Sequence, residues 1–255
     1  MKRLVSLLAL VLSSCGLLPR STPAPVPTIT GGSSTATELV VFLPGRWSTV
    51  DEFEREGFFK IAAERWPAAR LVAADLHLGY YKSRSSAKRV HEDIIAPARS
   101  SGVKTVRVVG VSMGGLGALI HDLEYPGDID EIYLLSPFVG EEEVIAEIGA
   151  AGGVRQWQAE PESERDFSRK LWHGLETKWL EQGRRPAVRL ACGTQDRLAG
   201  ANRQFVADFL KRDEVLWRPG DHDWPAWREL FRGMEHNFAS CDGVRAAIGQ
   251  GFVAG

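Results

Sequence analysis

From residue 38 onward, short apolar runs alternate with longer stretches in which apolar residues recur at helical spacing. The runs are LVVFLP (39–44), RLVAAD (70–75), TVRVVGVS (105–112), EIYLLSP (131–137), AVRLACG (187–193) and EVLWRP (214–219). Helical patterning falls at 50–65, 85–99, 113–125, 142–149, 163–182, 198–211 and 224–237. Nearly continuous apolar runs fit strands buried on both faces, and strands alternating with helices fold through right-handed crossovers into a mostly parallel sheet. The pattern therefore predicts an α/β domain with a sheet of about six strands and helices on both faces. The longest connection, 138–186, carries Trp157, Trp172 and Trp179 on amphipathic pieces. It predicts a small helical cap with an aromatic wall, although the same spacing also fits core packing.

The first 37 residues lack this alternation. Lys2 and Arg3 precede the apolar run LVSLLALVL, too short to span a bilayer but of the right length for a secretory signal. The run ends in LSSC, residues 12–15, which resembles the bacterial lipobox. Residues 1–14 are thus expected to be a lipoprotein signal peptide, with Cys15 the lipidated residue and the protein held in the cell envelope by a membrane anchor. Residues 16–37 are rich in Pro, Ser, Thr and Gly. Such a segment buries little apolar surface, so 15–37 is expected to be a lipid-anchored flexible tether and 38–255 the domain.

Composition narrows the function classes. The 255 residues are 44% hydrophobic and 25% charged, with a formal net charge of −2, as in an ordinary globular domain. Lys and Arg are scattered along the chain, which argues against nucleic acid as a partner.

The chemistry begins at VRVVGVSMGGLGAL, where a β-branched strand hands over to a helix. Gly110 to Gly114 read G-V-S-M-G, the G-x-S-x-G elbow that raises a serine hydroxyl, here Ser112, above the sheet. Only small residues fit two positions to either side of so tight a turn. A serine hydroxyl is a weak nucleophile near neutral pH, so it needs a base and a group to orient that base. Downstream, GTQDRL follows the run 187–193 and places Asp196 at a strand's carboxyl end; GDHDWPAW follows 214–219 and places His222 at the next. The order Ser…Asp…His and the location both fit, because sites in such sheets form at the carboxyl ends of the strands. Asp196 is also placed to cap the helix that follows it, and Asp223 to cap the last helix, with Pro225 in its first turn. No second His or Cys stands at metal-ligand spacing near His222, so no metal is expected. His91, His121, His173 and His236 read as surface or internally satisfied, whereas His77, with Tyr80 and Tyr81, is placed to line a pocket mouth.

GVSMGGLGAL together with GDHDWPAWREL resembles the α/β-hydrolase superfamily, above all the esterase branch that contains esterase D and the mycolyltransferases. The resemblance spans about residues 38–238. It implies an α/β-hydrolase fold and a Ser112–His222–Asp196 triad that needs no cofactor. Two features depart from the family. The first two strands of its sheet are missing or shrunken into the tether, and LPGRW (43–47) stands where an HGGG-type oxyanion loop is expected. Oxyanion donors are therefore expected from the backbone of Met113 and of Arg46, with Trp47 an alternative, and Trp47, His77 and Tyr80 are candidate substrate contacts. Pro44 and Gly45 could equally form a simple turn, and the Arg46 side chain could meet an anionic substrate group.

These readings predict a serine esterase acting on small-molecule or lipid esters. An acyltransferase on the same triad and a non-catalytic binding lipoprotein of the same fold are the alternatives. Cys192 and Cys241 either pair in an oxidising compartment or leave Cys192 as a small core residue.

Overall fold

In the computed structural model, which describes residues 20–158, 163 and 166–234, each of the six apolar runs is a strand and a further strand precedes them. In chain order the elements are β1 (Thr28–Gly32), β2 (Glu38–Leu43), α1 (Glu52–Arg55), α2 (Phe58–Arg65), β3 (Ala69–Ala74), α3 (Leu78–Lys82), α4 (Ser86–Val90), α5 (Ala96–Ser100), β4 (Thr105–Val111), α6 (Met113–Glu124), β5 (Glu131–Leu135), α7 (Glu142–Ala151), α8 (Phe167–Leu175), β6 (Ala187–Gly193), α9 (Ala199–Phe209), β7 (Val215–Arg218) and α10 (Trp224–Gly233). One sheet runs in the order β1-β3-β2-β4-β5-β6-β7. β1 is antiparallel to β3, and every other pair is parallel.

Strand periodicity divides the interior in two. Leu39, Val41 and Leu43 of β2 face the core under α4 to α9, while Val40 and Phe42 face the core under α1, α2 and α10. With both faces covered, the inner strands have no polar side to show, which is why they read as continuous apolar runs.

The helices depart from the pattern in three places. The stretch 50–65 is broken at Gly57 into α1 and α2. Between α4 and α5 lies a π-helical segment, His91–Ile95. Pro97 has no N–H for the carbonyl four residues back, so a regular α-ladder cannot run through this point. The last stretch is helical to Gly233, and its expected end at 237 lies outside the described residues.

The tether expected at 15–37 is corrected from Arg20 onward. Thr28–Gly32 pairs along β3 in five register positions, Thr28↔Ala74 to Gly32↔Arg70. Val26 is buried and its N–H donates to Asp93 at 2.8 Å; Arg20 pairs with Asp75 at 2.5 Å. Alternating Thr-Ile-Thr is a short edge-strand pattern that a composition rich in Pro and Ser conceals. Cys15, the signal segment, His236 and Cys241 lie outside the described residues.

The connection 138–186 carries α7, α8 and a π-helical segment, Glu176–Glu181. The aromatic wall expected of its tryptophans is not what forms. Trp157, Trp172 and Trp179 are buried in the sheet-face core; the indole N–H of Trp172 donates to Val139 O, and that of Trp179 to the Asp122 carboxylate, both at 2.7 Å.

Candidate active site

The turn from β4 into α6 holds Ser112 at φ 52° and ψ −114°, a left-handed conformation that costs about 1–3 kcal/mol unless the surroundings impose it. Three backbone hydrogen bonds do so. Ser112 N–H donates to Leu135 O at 2.9 Å, and Ser112 O accepts from Gly115 at 3.0 Å and from Phe138 at 2.9 Å. The turn also presses on β2: a Cβ at Gly114 would lie 1.9 Å from Leu43 O, so no larger residue can stand there.

The loops after β6 and β7 are stitched to each other. Thr194 N–H donates to Arg218 O and Gly220 N–H to the Gln195 side chain, while a Cβ at Gly193 would stand 2.1 Å from Gly220 O. This contact brings the acid and the imidazole together. Asp196, 4% exposed, has both carboxylate oxygens 2.9 Å from His222 Nδ1, and His222 Nε2 lies 2.9 Å from Ser112 Oγ. The His222 ring stands edge-on to Trp227 at 4.9 Å, which fixes its plane. Asp196 also accepts the Leu198 N–H at 2.8 Å where the chain enters α9, so it orients the imidazole and anchors the helix entry at once. Burial pushes its carboxyl up, but the hydrogen bonds from His222 and Leu198 outweigh this and hold it below the ordinary aspartate range. Asp223 caps α10 through Ala226 N–H, with Pro225 in the first turn, as its position predicts.

Loop 43–47 lies against Ser112. A Cβ at Gly45 would be 3.5 Å from Ser112 Cβ, and Ser48 N–H donates to Gly45 O, so Arg46 and Trp47 form the middle of a turn. Met113 opens α6, where a helix has no internal acceptor for its first N–H groups. The Arg46 guanidinium stacks over the Trp47 ring at 4.9 Å.

A cavity of about 810 Å³ opens at Ser112. One face of α6 forms its floor through Met113, Leu116, Ile120 and Leu123, and Phe138, Phe167 and Leu171 close it from the connection 138–186. Of the expected substrate contacts, three are corrected. His77 is buried: Nδ1 accepts from Gly79 N–H as the cap of α3, and Nε2 lies 3.0 Å from Ser21 O. Tyr80 is fully buried, with its hydroxyl donating to Pro23 O. Both are covered by the docked segment 20–27, whose packing could not be read from its composition. Trp47 is 81% exposed and stands outside the cavity lining. Tyr81 does line the cavity, and its hydroxyl donates to Met113 O.

Sequence reasoning passed over Asn202. It is fully buried on α9 and donates to Pro137 O at 2.9 Å, tying α9 to the loop after β5. Its one signal was a polar residue on the apolar face of an amphipathic stretch. Cys192 is a free, fully buried thiol pushed up to about 12 by burial. Among the described residues no group of three or more His, Cys, Asp or Glu side chains is placed to hold a metal ion.

A mostly parallel sheet of this order, with its polar side chains gathered at the strands' carboxyl ends, defines an α/β-hydrolase. Residues 92–238 match the model of the Esterase family, described as "Putative esterase", and the chain belongs to that family. It is an enzyme, a hydrolase of the esterase type, and the family's substrates point to a small-molecule ester. Solved structures share the fold at low identity. S-formylglutathione hydrolase (FrmB) from Staphylococcus aureus has a TM-score of 0.56 at 16% identity, covering 88% of this chain and 100% of that one. Est1E from Butyrivibrio proteoclasticus has a TM-score of 0.59 at 14% identity, covering 86% and 94%. FphF, a fluorophosphonate-binding serine hydrolase of Staphylococcus aureus solved with substrate bound, has a TM-score of 0.54 at 15% identity, covering 84% and 99%. A search of curated proteins gave no match.

Proposed function

We propose that the chain is a serine esterase that works through an acyl-enzyme on Ser112, with His222 as general base and acid and Asp196 as its orienting partner. The unbroken line of 2.9 Å contacts from Ser112 Oγ through the imidazole to the Asp196 carboxylate carries this reading. Ser112 Oγ attacks the ester carbonyl carbon while His222 Nε2 takes its proton. The oxyanion that forms meets the backbone N–H groups of Met113 and Arg46, and one such donor is worth about 3–4 kcal/mol. The intermediate collapses to acyl-Ser112 and an alcohol that leaves with the proton from His222. Water, deprotonated by His222, then attacks the acyl carbon, and the acid departs as Ser112 regains its proton. Asp196 accepts from Nδ1–H, which selects the tautomer with Nε2 free to accept and stabilises the imidazolium.

Lipidation at Cys15 would hold this esterase in the cell envelope as a lipoprotein with a cleaved signal peptide, a reading supported by Lys2, Arg3, the apolar run LVSLLALVL and the LSSC that ends it. With p-nitrophenyl acetate, rapid mixing is expected to give a burst of p-nitrophenol of about one equivalent per enzyme. Ser112→Ala should lose the burst and about 10⁶-fold in kcat without a change in melting temperature. Full turnover by that variant would remove Ser112 from the mechanism.

A further inference from the structure

We propose that the rim of the cavity is a docking surface for an anionic lipid bilayer, against which the domain lies with the mouth above Ser112 toward the headgroups. This goes beyond esterase chemistry; it draws on the reading of Cys15 as a lipid anchor for one of its three supports.

The first support is charge. The chain as a whole carries −2, yet the cavity lining has five basic side chains, among them Arg46, Lys82 and Arg197, against the acidic Glu124 and Glu141. Arg46, Lys82 and Arg197 are exposed, on three different elements: the loop after β2, the end of α3 and the loop after β6. Glu124 lies at the opposite end of α6 from Ser112, about 18 Å along the helix axis. With Glu141 the other exposed acidic residue of the lining, basic side chains still outnumber acidic ones where a surface would meet the mouth.

The second support is apolar. Among the described residues the exposed large hydrophobic side chains are Trp47, 81% exposed, and Phe167, 37% exposed. Phe167 lines the cavity, and Trp47, outside the lining, lies beside it through its stacking with the lining residue Arg46. An indole next to basic side chains is the composition that headgroup regions accept, with an apolar ring, a polar N–H and cations for the lipid phosphates.

The third is the path of the chain. Because β1 is antiparallel to β3, with Thr28 opposite Ala74, the residues before β1 emerge at the carboxyl edge of the sheet, the edge that carries Ser112. They dock there, Arg20 on Asp75, Ser21 beside His77 and Pro23 on Tyr80, one residue from the cavity-lining Tyr81. Four residues lie between Cys15 and Arg20, and the five steps that join them reach at most about 18 Å. A lipid on Cys15 would keep this edge, and the mouth with it, close to the bilayer. A freely extended tether of 15–37 would have imposed no orientation.

The test uses the chain from Gly16, without the expected signal segment and without Cys15, so that the surface is read free of both apolar anchors while every residue from Arg20 onward is kept. It is mixed with vesicles of phosphatidylcholine alone or of phosphatidylcholine with 30 mol% phosphatidylglycerol, at about 0.05 M salt, and followed by cosedimentation. Binding to the anionic vesicles only is expected, weakened by about 30-fold or more in Arg46→Glu/Lys82→Glu and by raised salt. Brominated lipid should quench tryptophan fluorescence in the parent and not in Trp47→Phe. Equal binding to both vesicle types, no binding, or binding that the charge reversal leaves intact in a variant of unchanged melting temperature would overturn the surface. Labelling of Ser112 by a soluble fluorophosphonate is scored on the same samples. Protein that takes the probe but ignores vesicles loses the docking surface and keeps the esterase; protein that binds vesicles without taking the probe keeps the surface and loses the esterase.

Discussion

Ser112 sits at φ 52° because its neighbours leave it no alternative: its N–H and carbonyl are both engaged, and the glycine two residues on admits the Leu43 carbonyl. Strain of this kind persists where surrounding contacts over-determine it. Gly193 does the matching work for the other two groups, since its missing side chain lets the Asp196 and His222 loops touch. Gly193→Ala is therefore expected to part the carboxylate from the imidazole and lower kcat by about 10²-fold or more, with KM nearly unchanged. Asp196→Asn in the parent should lower kcat by about 10⁴-fold, because an amide there favours the wrong tautomer. Steady-state kinetics on one chromogenic ester checks both, and a Gly193→Ala enzyme of parental kcat would contradict the proposed use of that contact. The three polar residues could be read from the chain because each directly follows an apolar run, and the strand fixes the address. Gly193 gave no such sign, since its reason is a carbonyl twenty-seven residues away.

At the scale of elements, the five inner strands, β2 to β6, were legible because burial on both faces makes them nearly apolar, and the edge strand β7 was legible from its short apolar run, while β1 and α3 were not. β1 is an edge strand of alternating exposure, and α3 is one short turn whose cap, His77, reads from sequence as a pocket residue. The junction of α6 with the π-helical segment is held by a polar cluster that periodicity does not reveal. Asp128 accepts from His91 Nδ1 at 2.6 Å and from His121 Nε2 at 3.0 Å, and Tyr125 stacks on His91 at 4.1 Å. Burial pushes the Asp128 carboxyl up, and the two histidine hydrogen bonds outweigh it and leave it below the ordinary range. A carboxyl depressed in the folded state adds stability above the unfolded aspartate value of about 4, and loses it as pH falls through the lower folded value. Asp128→Asn should thus melt below the parent at pH 7, and the gap should close on acidification from about pH 5 to pH 3. Melting curves across that range check it; a gap independent of pH would remove the charge from the explanation.

For the molecule as a whole, the sheet does two jobs with one geometry. Its faces bury two separate cores, and its carboxyl edge gathers Ser112, His222, Asp196 and the cavity. The tryptophans of the connection 138–186 serve the first job, since their amphipathic spacing reflects packing against α9 and the sheet. Sequence spacing gives a helix its apolar face but not what that face meets, so core and cap could not be told apart until the chain was folded. The hydrolytic reading rests on a nucleophile made reactive by that convergence at the carboxyl edge. Its most direct test is a fluorophosphonate probe followed by peptide mass mapping of the adduct in the full chain. The expected result is one adduct, on Ser112, absent in Ser112→Ala and strongly slowed in His222→Ala; an unlabelled parent, or an adduct on another residue, would contradict it.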